Sequence, residues 1–110
     1  MNPYNQTNIS KNIFTRVFDP KDNEMFIWHR DKKDRIVKII SCNNWQLQID
    51  NELPIILKEG FNYLIQKEVW HRIIAGNNKL IIQITELEEG ELKWNISLEI
   101  VYTLLIVTIK

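Results

Sequence analysis

Asn62-Tyr63-Leu64-Ile65-Gln66-Lys67-Glu68-Val69-Trp70-His71-Arg72-Ile73-Ile74-Ala75-Gly76-Asn77-Asn78 holds two short apolar runs, each stopped by polar turn formers. Such runs are too short for ordinary helices, and their Ile, Val, Tyr and Trp content fits the pleated chain. The rhythm extends both ways. Before this stretch, Ile13 to Phe18 stops at Asp19-Pro20-Lys21-Asp22-Asn23, Met25 to Asp31 at Lys32-Lys33-Asp34, and Arg35 to Ser41 at Cys42-Asn43-Asn44. Trp45 to Ile49 then stops at Asp50-Asn51-Glu52, and Leu53 to Leu57 at Lys58-Glu59-Gly60. After it, Leu80 to Leu87 stops at Glu88-Glu89-Gly90, and a last run starts at Trp94. About ten evenly spaced short strands bounded by Asn, Asp, Gly or Pro predict an all-β sandwich or barrel.

At 110 residues the chain has the length of one domain, and its 45% hydrophobic and 25% charged residues are globular proportions. Fourteen Lys and Arg balance fourteen Asp and Glu, leaving no bulk charge to hold a nucleic acid or an anionic membrane. Neither is expected as a partner. Residues 1–12, rich in Asn, Gln, Thr and Ser, read as an N-terminal arm before a single barrel domain at 13–110. Ile96 to Ile109 falls short of the ~20 apolar residues a spanning helix needs, and its Ile, Val and Thr favour a strand or strand pair. Left as an open edge, Leu98 to Ile109 would recruit a second copy, so a homodimer is expected. Cys42, the one cysteine, has no disulfide partner and no flanking cation to activate it, which fits an inert thiol in a reducing compartment. The N-terminus lacks a basic region followed by an apolar stretch, so the expected location is the cytoplasm.

Both histidines sit in the same tripeptide, Trp28-His29-Arg30 and Trp70-His71-Arg72. Strand alternation puts Met25, Ile27, His29 and Asp31 on one face and Phe26, Trp28 and Arg30 on the other. It likewise groups Val69, His71, Ile73 and Ala75 opposite Trp70, Arg72 and Ile74. If the histidine faces point inward, His29, Asp31 and His71 converge as two imidazoles and a carboxylate, a ligand set for a divalent transition metal with coordination positions left open. Fe(II), Mn(II), Ni(II) and Zn(II) are all chemically admissible. Two other outcomes are open on the residues alone: His29 and Asp31 hydrogen-bond each other with His71 a satisfied polar group, or the tryptophans form the core and the histidines face water.

These residues resemble the cupin superfamily of small jelly-roll barrels, double-stranded β-helices. The second cupin motif reads Gly, five residues, Pro, one residue, Gly, two residues, His, three residues, Asn, and Gly60, Gln66, Glu68, His71 and Ala75 occupy those positions. The first motif opens His, one residue, His, followed after three or four residues by Glu. His29-Arg30-Asp31 is similar to that opening with Asp in the second histidine's place, while the glutamate position falls at Arg35 or Ile36, with Asp34 the nearest carboxylate. His-x-Asp with a distant His also resembles the facial triad of 2-oxoglutarate-dependent oxygenases, which share the fold. The resemblance runs from about Phe26 to Glu86. It implies a cupin-like barrel with His29, Asp31 and His71 as metal ligands and an oxygenase or isomerase acting on a small molecule. The competing expectation is a non-catalytic module that binds a small ligand or a protein partner.

No residue reads as a cation placed to grip an acidic co-substrate, since Arg72 should point away from His71 and Lys79 lies past a turn. Arg30 and Arg72 stand on the tryptophan side, where guanidinium stacking on indole across neighbouring strands accounts for the Trp-Arg alternation. Gln46, Gln48 and Asp50 form a polar face opposite Trp45, Leu47 and Ile49, expected to be solvated. Glu86 to Glu91 reads as a solvated acidic hairpin. The sequence has no phosphate-binding glycine loop, no Gly-x-Ser-x-Gly elbow and no Cys-His pair placed for covalent catalysis.

Overall fold

A computed structural model describes residues 4–21 and 26–89, and they form an all-β structure. Its strands are β1 (Tyr4–Asn8), β2 (Ile13–Phe18), β3 (Arg35–Ser41), β4 (Gln46–Ile49), β5 (Ile55–Ile56), β6 (Asn62–Ile65), β7 (His71–Ile74) and β8 (Leu80–Glu86). They make a five-stranded sheet, β1-β2-β8-β3-β6, and a three-stranded sheet, β5-β4-β7. Every pairing is antiparallel. The run read at Trp94 and beyond, including Ile96 to Ile109, lies outside the described residues.

Alternation builds the core. On β8, Leu80, Ile82 and Ile84 are buried between less buried neighbours, and on β3 Ile39 is buried between exposed Lys38 and Ile40, while Ile36 and Val37 are both buried. Leu80, Ile82, Ile84, Val37 and Ile39 meet Leu47 from the smaller sheet and Trp45, which is 0% exposed. The Trp45 indole donates its N–H to the carbonyls of Asn77 and Asn78 at 3.2 and 3.1 Å, so the ring is buried with its polar atom satisfied.

The turns follow the chemistry that the sequence offered. Asn44, Asn51 and Asn78 take left-handed backbones with φ of 61°, 64° and 56°, a conformation Asn tolerates better than most residues. Gly76 is needed for a different reason: a Cβ there would run into the backbone of Asn43 and Asn44.

Two expectations are corrected. Residues 4–8 are no loose arm: β1 pairs with β2 along its length, Tyr4 opposite Phe18 and Asn8 opposite Phe14. A polar composition did not prevent this, because an edge strand needs only one bonded side and Tyr4 packs on Phe18 with ring centroids 5.4 Å apart. Met25 to Asp31 is not a regular strand among its described residues. It touches β7 through one antiparallel bridge, His29 to His71, with both N–H···O bonds at 2.9 Å. Beyond the bridge, the tight turn at Gln66 to Val69 replaces the ladder: the Glu68 N–H reaches the Asp31 carbonyl at 2.7 Å, and Val69 N–H closes on Gln66.

Candidate metal centre

The single bridge fixes the geometry of the site. Opposed residues in an antiparallel pair share a face, so pairing His29 with His71 puts both imidazoles on one side and sets Trp28 against Arg72 and Arg30 against Trp70 on the other. The Arg72 guanidinium carbon lies 5.0 Å from the Trp28 ring centre and that of Arg30 5.2 Å from Trp70. Arg72 also donates its Nε–H to Gln48 at 2.9 Å, which places the Gln48 side chain on the outer face as expected. Trp28 and Trp70 are 38% and 43% exposed while His71 is 3% exposed, so the histidine side faces in at His71 and the tryptophan side faces out. His29 is itself exposed and stands at the mouth.

Inside lies a cavity of about 440 Å³, within the range of small-molecule sites. Its walls come from both sheets, among them Phe18 and Ile82 from one and Leu47 and Ile73 from the other, and His29, Asp31 and His71 line it as well. One ligand atom from each of these three lies within 4.8 Å of the other two. The imidazole centroids are 4.3 Å apart at 62°.

The hydrogen bonds around the rings decide which nitrogens are available. His29 Nδ1 contacts the Ile27 carbonyl at 3.0 Å and His71 Nδ1 the Val69 carbonyl at 2.9 Å. A carbonyl oxygen only accepts, so both Nδ1 atoms carry protons and each neutral ring keeps its lone pair on Nε2. This backbone anchoring of the second ring nitrogen is what histidine ligands commonly have. His71 Nε2 faces Asp31 Oδ2 at 3.3 Å, and that oxygen is buried with no hydrogen-bond partner. Two acceptors facing each other in a buried site are unfavourable unless a cation lies between them. The donor set therefore fits a metal ion, and a proton on His71 would serve the same electrostatic need.

Asp31 is otherwise held by Arg35, whose Nη1 lies 3.2 Å from Oδ1. Arg35 in turn donates from Nε and Nη2 to Glu86 Oε2 at 3.1 and 2.9 Å. Burial works against the Asp31 charge, but a hydrogen bond from His71, available when its Nε2 carries a proton, and the Arg35 guanidinium outweigh it and hold the carboxyl below its usual range. Although His29 as a residue is exposed, partial desolvation of its ring at the cavity mouth lowers its value, which keeps that ring neutral and competent to ligate. Asp34 is not brought to the site; its Oδ1 accepts the Lys67 N–H at 2.8 Å and braces the turn. Glu86 ends β8 as the partner of Arg35, inside the sheet rather than in a solvated hairpin. Burial pushes the Cys42 thiol up and its Sγ–H points to the Leu57 carbonyl at 3.3 Å, in keeping with an inert side chain.

Two cavity residues escaped the sequence reading. Arg16 and Arg35 both line the cavity, where no cation was expected. Strand parity carried the signal: Arg16 alternates in phase with Phe14 and Phe18, and Arg35 with Val37 and Ile39.

The chain has the cupin fold. It superimposes on a cupin-2 domain protein from Shewanella frigidimarina with a TM-score of 0.55 at 19% identity, over 77% of this chain and 79% of that one. A cupin domain from Bordetella pertussis matches with a TM-score of 0.56 at 16% identity, over 77% and 92% of the two chains. An iron(II) form of HppE in complex with substrate matches with a TM-score of 0.55 at 13% identity, over 74% of this chain and 52% of HppE. No protein-family model and no curated protein sequence matches the chain. Among the described residues, no helix is long and apolar enough to cross a membrane.

Proposed function

We propose that this chain is a cupin-fold metal protein in which His29, Asp31 and His71 hold one divalent transition ion at the mouth of the cavity, acting as an oxygenase or isomerase on a small molecule. The carrying observation is the pair of Nδ1-anchored imidazoles whose remaining lone pairs meet a buried, unpartnered carboxylate oxygen. Two histidines and one carboxylate leave further coordination positions open, and a bound ion would supply Lewis acidity or a site for O2. The chain's own residues would do the rest: Val69 and Ile27 carbonyls orient the rings, Arg35 holds Asp31 ionised, and the apolar walls exclude water around the ligand. Iron in the HppE chain of like fold supports the same reading.

A second reading has an observation of its own. Arg35 stands at one of the two positions, Arg35 or Ile36, where the first cupin motif would have its glutamate ligand, and it pairs with Asp31, so the cluster can be read as a structural ion-pair network in a non-catalytic ligand-binding module. Metal analysis separates the two. Wild-type protein purified without chelators should carry about one ion per chain by the ligand count of such sites, and His71→Ala should carry almost none. Equal metal content in both, with a melting curve unmoved by EDTA, would establish the second reading.

A further inference from the structure

Arg16 presents a charge in the cavity that no described residue neutralises. It sits on β2 directly opposite Gln6, and its Nε–H donates to Gln6 Oε1 at 2.9 Å. Its guanidinium carbon lies 3.9 Å from the Tyr4 ring centre and 5.0 Å from that of Phe14, so aromatic rings flank the planar group. Among the described residues no carboxylate comes within ion-pairing distance of it, and its two Nη groups have no hydrogen-bond partner. Arg35, which also borders Phe14 with its guanidinium carbon 5.8 Å from that ring centre, differs on this point because Asp31 and Glu86 both pair with it. A half-buried guanidinium without a counter-charge is costly where apolar residues surround it, and an inward position between Phe14 and Phe18 is where alternation would place another hydrophobe. The free Nη edge is a planar fork suited to bidentate contact with a carboxylate or a phosphoryl oxygen pair.

We propose that the cavity takes small organic anions, with Arg16 anchoring a carboxylate or phosphoryl group and Phe18, Leu57 and Ile82 enclosing an apolar body. The anchor stands without any ion; the direction of the ligand's other end, towards His29, Asp31 and His71, rests on the metal-centre reading. That reading also favours an anion on electrostatic grounds, since Asp31 and Glu86 pair with Arg35 and leave Arg16 without an ion-pair partner, and a divalent ion beside neutral imidazoles would add further positive charge.

The test is calorimetric titration of the full chain, EDTA-treated and Mn(II)-loaded, with hexanoate, hexylphosphonate and the neutral hexanamide as probes, and with metal content measured on the same samples. At least one anion should bind about tenfold or more tightly than hexanamide, as a charge-assisted contact implies. Arg16→Gln should bring that anion to the amide's affinity with metal content unchanged, and Arg16→Lys should retain part of the preference. The stronger of the two anions identifies the oxyacid class. Absence of binding by every probe, equal binding of anion and amide, or full affinity in Arg16→Gln overturns the proposal even if manganese is held. Anion preference that depends on Arg16 in protein unable to hold manganese upholds it while the metal-centre reading falls. Should Arg16→Gln fail to fold, the wild-type comparison of anion with amide and the Arg16→Lys result decide.

Discussion

Glu68 holds a left-handed backbone, φ 62°, at the position where the second cupin motif has glycine. That conformation costs an ordinary residue roughly 1 to 2 kcal/mol, and glycine almost nothing. The turn forms nonetheless, because the Glu68 N–H bonds to the Asp31 carbonyl and Lys67 N–H to Asp34, tying both strand ends together just beside the candidate ligands. The side chain adds little: its contact with Arg30 is 3.7 Å long and both groups are more than half exposed. Replacing Glu68 with glycine keeps the backbone bond, relieves the strain and gives back part of the gain through the freer unfolded chain. Glu68→Gly should therefore stabilise the protein by about 0.5 to 1 kcal/mol in urea unfolding. A variant less stable than wild type would mean that the Arg30 contact outweighs the backbone strain.

At the level of elements, the two copies of Trp-His-Arg work because they run antiparallel with the histidines opposed. That one register produces an inward histidine pair and two outward Trp-Arg pairs together, and a slip by one residue would exchange the faces. This much was legible in the sequence, since alternation sorts His29 with Asp31 and His71 with Ile73 without further information. The strand at Met25 to Asp31 was not, because periodicity cannot show that the Gln66 to Val69 turn takes over the pairing after a single bridge. Strand β1 was missed for a related reason: Asn5, Gln6, Thr7 and Asn8 are exposed and give an edge strand no hydrophobic signature. Arg16 was legible and overlooked, since strand alternation puts it in phase with Phe14 and Phe18. The close approach of the β7–β8 turn to the β3–β4 turn offers a test at this scale. Gly76 lies against the backbone of Asn43 and Asn44, where the obstructing atoms are not flexible side chains and cannot swing aside. Gly76→Ala should lower stability by about 1 to 3 kcal/mol, the range for overpacking, with the loss read from the unfolding midpoint at constant slope. It should also loosen the Trp45 indole contacts with Asn77 and Asn78, visible as a shift in tryptophan fluorescence.

For the molecule as a whole, the cavity ties stability to pH and to metal in one linked response. Burial keeps the folded-state His29 below the ordinary imidazole value, so between that lowered value and about pH 6.5 the unfolded chain binds more protons. Stability contributed by His29 is present above about pH 6.5 and is lost as the pH falls through the folded value. Asp31 behaves in the same sense lower down: although burial opposes its charge, His71 and Arg35 hold it below the usual carboxylate range, and its contribution is present above about pH 4 and lost as the pH falls through the lowered value. The metal-free protein should thus show a melting temperature that declines on acidification below about pH 6.5, with a further decline below about pH 4. A bound ion adds a steeper dependence, because protons compete directly for the same two imidazoles and the carboxylate. At neutral pH an ion present at a hundred times its dissociation constant stabilises the folded state by about 2.7 kcal/mol, and this gain should shrink on acidification as protons compete with the ion for its ligand atoms. Melting curves with Mn(II) and with EDTA at pH 7.5 and 5.0 measure both parts. A manganese effect of equal size at the two pH values would place the ion elsewhere than on His29 and His71, and an EDTA curve rising on acidification would contradict a His29 imidazole held below its ordinary value.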